Sequence, residues 1–459
     1  MIAKAKYRLK QQVSLAPLAT FRVVFGLIML AALIRFAANG WIEELYINPE
    51  YLFPFYGFEW LPRPGAFGVY GLFAVASTSL ILVILGWYYR IGIFTFFLSF
   101  TWIELLDKAN YLNHYYFISL VAFVLIFLPA HHVYSRDARR SKSGLASLGP
   151  LWTVGSLRLL LGLVYVYAGI AKLNADWLIH AMPLKMWLPQ HADMPVIGSL
   201  FEQAWTPYFF SWGGALYDLT IPFLLLYRRT RLAGYMSVIF FHIITFALFP
   251  IGMFPFIMMG CSLVFLPSEM HRKAWGMIAG QSRRPSTNKW KVAHSTQFVL
   301  AAFFAIQLLF PWRYVLYPDN VFWTEEGYRF GWRVMLMEKG GYAQFYVKDP
   351  EQPGELEICN RQFLTPNQEK MMATQPDMLL NYARIIERHY ESLGVADPEV
   401  RAEVWVTLNG SGSRLFIDPW TDLTRQQDSF AHKDWILPSD SVVTFNDFQM
   451  LKGVTLAAK

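Results

Sequence analysis

Charged side chains are scarce in this chain, 16% of its 459 residues against 55% hydrophobic ones, where soluble enzymes carry about 25%. That scarcity excludes an ordinary water-soluble fold and makes a membrane protein the first reading. The net charge of +7 does not turn the chain toward nucleic acid, because its lysines and arginines form no basic stripe with interleaved aromatics. They sit in short clusters between apolar runs, the pattern of cytoplasmic loops. Cysteine is nearly absent: Cys261 lies in an apolar run and Cys359 in a polar tail. A disulfide between them would have to join membrane to extramembrane parts, so two free thiols are expected. Also missing are a phosphate-binding glycine loop, a serine elbow, an internal repeat and any low-complexity stretch. The histidines lack metal-ligand spacing, His131 and His132 falling in a basic loop, so no metal is expected.

Apolar runs recur at about 16–38, 66–87, 91–107, 115–130, 151–171, 209–227, 232–249, 252–267 and 293–311, which gives about nine transmembrane helices, some of them short. The first follows the basic MIAKAKYRLKQQ, as in a signal peptide. It is long enough to span, however, and no small-residue cleavage site follows it, so it reads as an uncleaved span. Lys4, Lys6, Arg8 and Lys10 put the N-terminus in the cytoplasm. Nine crossings then make every inner loop basic, with Arg90, then Arg136, Arg139, Arg140 and Lys142, then Arg228, Arg229 and Arg231, then Arg272, Lys273, Arg283, Arg284, Lys289 and Lys291. The outer segments carry Glu43, Glu44, Glu50 and Glu59, and further on Asp176, Asp193 and Glu202. Residues 232–267 read either as one long tilted helix or as two short ones broken at FPIGMFP; two keep the basic residues inside.

After Pro311 the composition turns mixed and polar, so the expected division is a transmembrane domain at 1–311 and an extramembrane, β-rich domain with some helix at 312–459. The segments GYAQFYVKD, AEVWVTLNG and SRLFIDPW alternate as strands do. Residues 365–394 read as helix, with Met378, Leu379, Tyr382, Ala383 and Ile386 at helical spacing and TPNQEKM as the start.

Polar groups at or inside spans are costly and need a reason. In LDKANYLNHYYF, Asp107 and Lys108 can form a snorkelling pair, and Asn110 or Asn113 can cap a helix; Asn113 with His114 can equally serve a site. Lys172 ends the fifth span about one turn before Asp176. It is either a snorkelling lysine or an amine whose desolvation favours the neutral, basic form. His242 sits mid-span, bonded to neighbouring backbone or serving chemistry. Phe254, Met258 and Met259 form a soft apolar surface that suits packing or a cofactor. Asn113, His114 and Lys172 fall on the side that carries the extramembrane domain, so one site between helices and domain is possible.

These segments resemble the vitamin K-dependent gamma-glutamyl carboxylases, whose membrane part is the horizontally transferred transmembrane (HTTM) domain. AGIAKLNADW is similar to the family's lysine segment and LDKANYLNH to its Asn-His segment. GGALYDLTIPFLLLYRRTR is similar to the next span, FHIITFALFPIGMF to a histidine helix, and PWRYVLYPDNVFWTEEGYRFGWRVML to the opening of the lumenal domain. The similarity runs from about residue 15 to 350. It implies a lyase-class enzyme in which a lysine amine, here Lys172, deprotonates reduced vitamin K or a related naphthoquinone. Oxygen addition then gives a strong base, a peptide glutamate loses its γ-proton and takes up carbon dioxide, and quinone epoxide is formed. Asn113, His114 and His242 match active-site positions, and Phe254, Met258 and Met335 match positions lining the naphthoquinone pocket.

The chain departs from the family at Ala171, where animal members have a second lysine, at Asn174 in place of aspartate, and at Tyr314 in place of histidine. The short tail implies reduced propeptide-binding surfaces and suggests a bacterial member, with the C-terminal domain in the periplasm; in a eukaryote it would face the lumen of the endoplasmic reticulum. The expected partners are the bilayer, the quinone and a glutamate-containing peptide. Two other readings stay open: a quinol-oxygenating enzyme that no longer carboxylates protein, and a nonenzymatic receptor or transporter, which would need a polar path through the bundle.

Overall fold

The computed structural model describes residues 7, 9–141, 145–279, 290 and 293–440. Lys4, Lys6, Arg8, Lys142, Arg283, Arg284, Lys289 and Lys291, which carry part of the expected inner charge, lie outside the described residues.

Apolar helices stand at each expected position. They are α1 (Ala16–Ala38), α2 (Ala66–Leu85), α3 (Tyr89–Leu106), α4 (Asn113–Phe127), α5 (Leu151–Ala171), α6 (Thr206–Leu226), α7 (Arg231–Leu248) and α8 (Phe254–Ser262). After the amphipathic α9 (Ser268–Ala279) comes α10 (His294–Leu309), continued in 3-10 form to Leu316. Seven of them are long and apolar enough to cross a membrane; α4, and α8 with its 3-10 extension to Phe265, are shorter. Residues 232–267 form two helices: Phe249 is extended and Gly252 takes φ +58°, which breaks the chain at FPIGMFP. With 15 residues, α4 rises only about 22 Å against a hydrocarbon core of about 30 Å. Both short helices are interior, burying Phe117, Val121 and Leu125 from α4 and Ile257, Met258 and Cys261 from α8. The space at their starting ends is where polar groups collect.

The basic segments gather at one end of the bundle. There β1 (Gln12–Ser14) pairs antiparallel with β2 (Leu148–Pro150). The fully buried Arg22 donates to the carbonyls of Val83, Ile84 and Tyr134 at 2.7 to 2.8 Å, which ties α1 to the last turn of α2 and to the segment after α4. At the other end sits the C-terminal region. Its sheet has the order β4-β3-β5-β6, all pairs antiparallel, with β3 (Lys339–Lys348), β4 (Leu356–Ile358), β5 (Glu399–Leu408) and β6 (Arg414–Leu415). In SRLFIDPW only Arg414 and Leu415 are strand, and Ile417 adds a single bridge to Ile436. The stretch expected as one helix is two, α11 (Pro366–Met372) and α12 (Pro376–Ser392). The first opens on a capping box between Thr365 and Gln368, which satisfies donors at the helix start. Met378, Leu379, Tyr382, Ala383 and Ile386 are fully buried against Ala343, Phe345 and Val347 of β3.

The two regions share a core, since Trp177, Leu184, Leu188 and Phe201 from the α5–α6 connection pack with the sheet and α12. A charged clamp joins them. Lys108 Nζ, with no exposed side-chain surface, lies 2.9 Å from Asp377 Oδ2, and Arg329 Nη1 lies 2.5 Å from the same oxygen. Lys108 therefore neither snorkels nor pairs with Asp107. Asp107 instead accepts hydrogen bonds from the backbone N–H of Phe53 and Ala109 and from the Gln368 amide. Leu112, not an asparagine, is the N-cap of α4.

Burial would raise the pKa of Asp377, but Arg329 and Lys108 hold it well below the usual carboxylate range. A depressed folded-state value contributes stability above the unfolded pKa of about 3.9, and that contribution is lost as pH falls through the folded value. Docking of the C-terminal region should therefore loosen below about pH 4, read as new proteolytic cuts in that region. At neutral pH, Asp377→Asn removes the shared partner of two buried cations, leaving Lys108 only Asp428 at 3.7 Å, and should cost about 3–5 kcal/mol in thermal unfolding of the detergent-solubilised protein.

Candidate active site

The site is built on the crossing of α5 and α6. A Cβ at Gly169 would stand 2.7 Å from Leu219 Cγ and 3.0 Å from the Leu219 backbone nitrogen. Absence of a side chain there lets the two helices approach closely, as small residues do between membrane helices. Lys172 follows as the C-cap of α5, and Asp218 faces it from α6. Lys172 Nζ and Asp218 Oδ2 are 2.7 Å apart, with side chains 9% and 7% exposed. The amine also reaches the Ala168 carbonyl at 3.4 Å and lies 5.5 Å from the centre of the Trp177 ring. Asp176 is not its partner; that carboxylate accepts from Asn409 in the C-terminal region at 2.8 Å. Pro222, four residues after Asp218, lacks the N–H that would bond the Asp218 carbonyl.

Lys172 and Asp218 line an apolar cavity of about 100 Å³ together with His242, Phe254, Met258 and Met335. His242, 1% exposed, bonds through Nε2 to Tyr165 Oη at 3.0 Å, while its Nδ1 has no partner among the described residues. Tyr217 and Ser262 cluster around the Tyr165 hydroxyl. Phe254 stands between two histidines, its ring centre 5.8 Å from His242 and 5.9 Å from His114.

His114 and Asn113 belong to an adjoining, larger chamber of about 770 Å³ on the domain side. Phe249, Ile251, Phe254, Val334 and Met335 line both spaces. Asn113 is committed to backbone: its Nδ2 donates to the Arg333 carbonyl at 3.0 Å, and its Oδ1 accepts from Tyr111 Oη, which in turn accepts from the Phe330 N–H at 2.8 Å. The segment so held is strained, with Phe330, Trp332 and Met335 at φ +61°, +59° and +53°. Three left-handed non-glycine residues so close together are the kind of strain that collects at functional sites. The chamber is cationic, lined by Arg35, Lys108, Arg329 and Arg333 against Glu325. Lys108 and Arg329 are neutralised by Asp377, whereas the buried Arg333 has no acceptor for Nε or Nη1 among the described residues and lies over the Tyr314 ring at 4.1 Å.

Residues 10–270 match the family model of the HTTM domain, and residues 292–442 match that of the vitamin K-dependent gamma-carboxylase lumenal domain. The chain belongs to the vitamin K-dependent gamma-carboxylase family. No solved structure matches it. Membership implies a carboxylase-like membrane enzyme, and the family's chemistry implies vitamin K hydroquinone, oxygen, carbon dioxide and a glutamate-containing protein. The name of the second domain assigns residues 292–442 to the lumenal side.

In this gamma-carboxylase family member the departures have local explanations. Asn174 does what an aspartate would, its Oδ1 accepting from the Trp177 N–H at 2.9 Å to cap the short helix Ala175–Leu178. Ala171 packs, half-buried, against the core of the C-terminal region. Tyr314 is the platform under Arg333. Asp218, Tyr165 and Arg333 were not singled out from sequence. Asp218 carried a usable signal, a carboxylate inside an apolar run, whereas the other two gave none.

Lys172 and Asp218 should be destabilising to break singly and tolerable to remove together. Asp218→Asn leaves a buried ammonium and should cost about 3–5 kcal/mol. The double variant Lys172→Met, Asp218→Leu should recover most of that loss in thermal unfolding, a coupling that a double-mutant cycle measures.

Proposed function

We propose that the protein is a membrane γ-glutamyl carboxylase and quinol epoxidase, with its helical domain at 1–311 and a domain outside the cytoplasm at 312–459, the N-terminus being cytoplasmic. The observation that carries the proposal is a buried Lys172–Asp218 pair on the wall of an apolar cavity that His242, Phe254, Met258 and Met335 also line. The residues fit a flat, lipophilic ring bearing oxygen at each end: Phe254 and the two methionines supply soft apolar contact, and the orphaned His242 Nδ1 supplies a hydrogen-bonding group.

When bound, vitamin K hydroquinone supplies, with oxygen, the strong base that a γ-carbon proton requires. Lys172 Nζ accepts the hydroxyl proton that starts this chemistry, and Asp218 holds the proton the ammonium must first give up. His242, oriented by Tyr165, fixes the opposite end of the ring. Phe254, Met258 and Met335 exclude water from the cavity, which strengthens every electrostatic contact inside it. The peptide glutamate enters from the larger chamber, where Arg333 offers its unpaired guanidinium edge to the carboxylate and His114 meets the side chain beside Phe254. Asn113 acts as a positioning residue, holding the segment that carries Arg333 and Met335. Removal of the γ-proton leaves a carbanion, which forms a carbon–carbon bond to carbon dioxide. The two adjoining spaces favour this reading over quinol oxygenation alone, which needs no cationic chamber beside the ring.

The test scores labelled carbon dioxide in a glutamate-containing peptide and quinone epoxide in one reaction, with reduced vitamin K and oxygen. Wild-type protein should yield both, and Lys172→Ala neither, a fall of at least about 100-fold expected for loss of a general base. Epoxide without label would leave quinol oxygenation as the activity, and neither product from folded protein would sink the enzymatic reading. Arg333→Met should raise the KM for peptide about tenfold, the worth of a charged hydrogen bond, and leave the KM for the quinol unchanged.

A further inference from the structure

A second chamber of about 640 Å³ lies where α3, α4 and α10 meet residues 324–330, 376–377 and 428–433; it is separate from the cavity of Lys172 and His242 and shares Glu325 and Arg329 with the domain-side chamber. Phe330 packs between Tyr111, which lines the domain-side chamber already described, and Tyr116, which lines this one, with ring centres 5.1 and 4.8 Å away. At the level of the spans its walls are aromatic, with Phe97 from α3, Phe123 from α4, and Phe303 and Phe310 from α10 and its end. Into this apolar setting α3 brings a carboxyl group, Glu104, 7% exposed. Thr101 donates to Ser119 at 3.1 Å, and Ser119 donates to Glu104 Oε2 at 2.7 Å. Glu104 Oε1 has no partner among the described residues.

An ionisable group inside a membrane bundle is a functional-site candidate by default, and a buried oxygen without a donor needs an explanation. Packing does not supply one, because the Thr101–Ser119 relay accounts for Oε2 alone. The cations of the same chamber are engaged elsewhere: Arg329 with Asp377, Arg313 with the carbonyls of Phe310 and Arg329, and Lys433 with Asp428 and the Ser429 carbonyl. A second polar group lines the same chamber, Gln307, whose Oε1 accepts from Tyr116 Oη at 3.0 Å, leaving its amide N–H groups as donors. The volume falls in the range of small-molecule sites, about 300–1,000 Å³. Aromatic walls favour a planar ring in offset or edge contact, and an orphaned acceptor with an amide donor in the same chamber favours a hydroxyl on that ring.

We infer that this chamber is a second ligand site, for a lipophilic molecule with a planar ring and a ring hydroxyl that donates to Glu104 and accepts from Gln307. A quinol of the membrane pool and a phenolic lipid share that chemistry. The inference does not depend on the proposed carboxylation, since neither Lys172 nor His242 takes part.

Equilibrium binding of tritiated naphthol to the full chain in lipid nanodiscs tests it. Wild-type protein should show a saturable site that Leu120→Trp, which fills the chamber, abolishes, and that Glu104→Leu weakens about tenfold. Methylnaphthalene, a ring without the hydroxyl, and decanol, a hydroxyl without the ring, should compete at least about tenfold less well than naphthol. Displacement by reduced menadione or by pentadecylphenol supports the site and tells quinol from phenolic lipid. Binding untouched by Leu120→Trp, equal competition by methylnaphthalene or decanol, or stronger competition by decylamine would each overturn the assignment. The competitors act on wild-type protein, so they decide the matter even if Glu104→Leu does not fold.

Discussion

Asp377 between Lys108 and Arg329 is the contact on which the rest depends. Each cation alone would be too costly to bury at the junction of bundle and C-terminal region, and the carboxylate alone would be equally costly. Together they are tolerable, and only when α12 is docked against the end of α3. Docking then fixes residues 330–335, because the same junction carries Tyr111 and Asn113, whose side chains hold that segment in its left-handed turns. Met335 and Arg333 reach the candidate site through this chain of constraints, so a domain outside the membrane completes a cavity within it.

The two adjoining spaces differ in what they solvate. The smaller holds its charge as a close Lys172–Asp218 pair among aromatic and thioether side chains, an environment suited to a lipophilic ring. The larger is cationic and lies toward the C-terminal region, an environment suited to an acidic side chain arriving from water. Phe254, Val334 and Met335 form the partition. Short interior helices take part in this arrangement: the first residues of α4 and α8, Asn113, His114 and Phe254, line the chamber.

Much of this was legible in the sequence, because membrane helices announce themselves by composition. The positions of all the apolar helices, the break at FPIGMFP, the helical face of α12 and the strands β3 and β5 follow from hydropathy and periodicity. Hydropathy did not gather Lys172, His242, Phe254, Met258 and Met335; only the family resemblance named them together, and they line one cavity while Asn113 and His114 line the adjoining chamber. What stayed hidden depended on contacts distant in the chain. Lys108 finds its partner 269 residues away, so the adjacent Asp107 was the natural but mistaken choice. Asn113 bonds a backbone carbonyl 220 residues on, and no local pattern marks a side chain as a brace for another segment. SRLFIDPW formed less strand than its alternation suggested because Phe416 and Leu437 hydrogen-bond across as single links and Asp418 turns the chain.

The close approach at Gly169 sets the geometry of the Lys172–Asp218 pair by steric exclusion. Leu219 already sits at the distance a methyl group would need, so the separation of α5 and α6 is a property of one missing atom. In evolutionary terms this makes position 169 a gauge: a Cβ there would press on the Leu219 backbone as well as its side chain, so a smaller residue at 219 relieves only part of the clash. Glycine should therefore persist at 169 wherever the ion pair is retained.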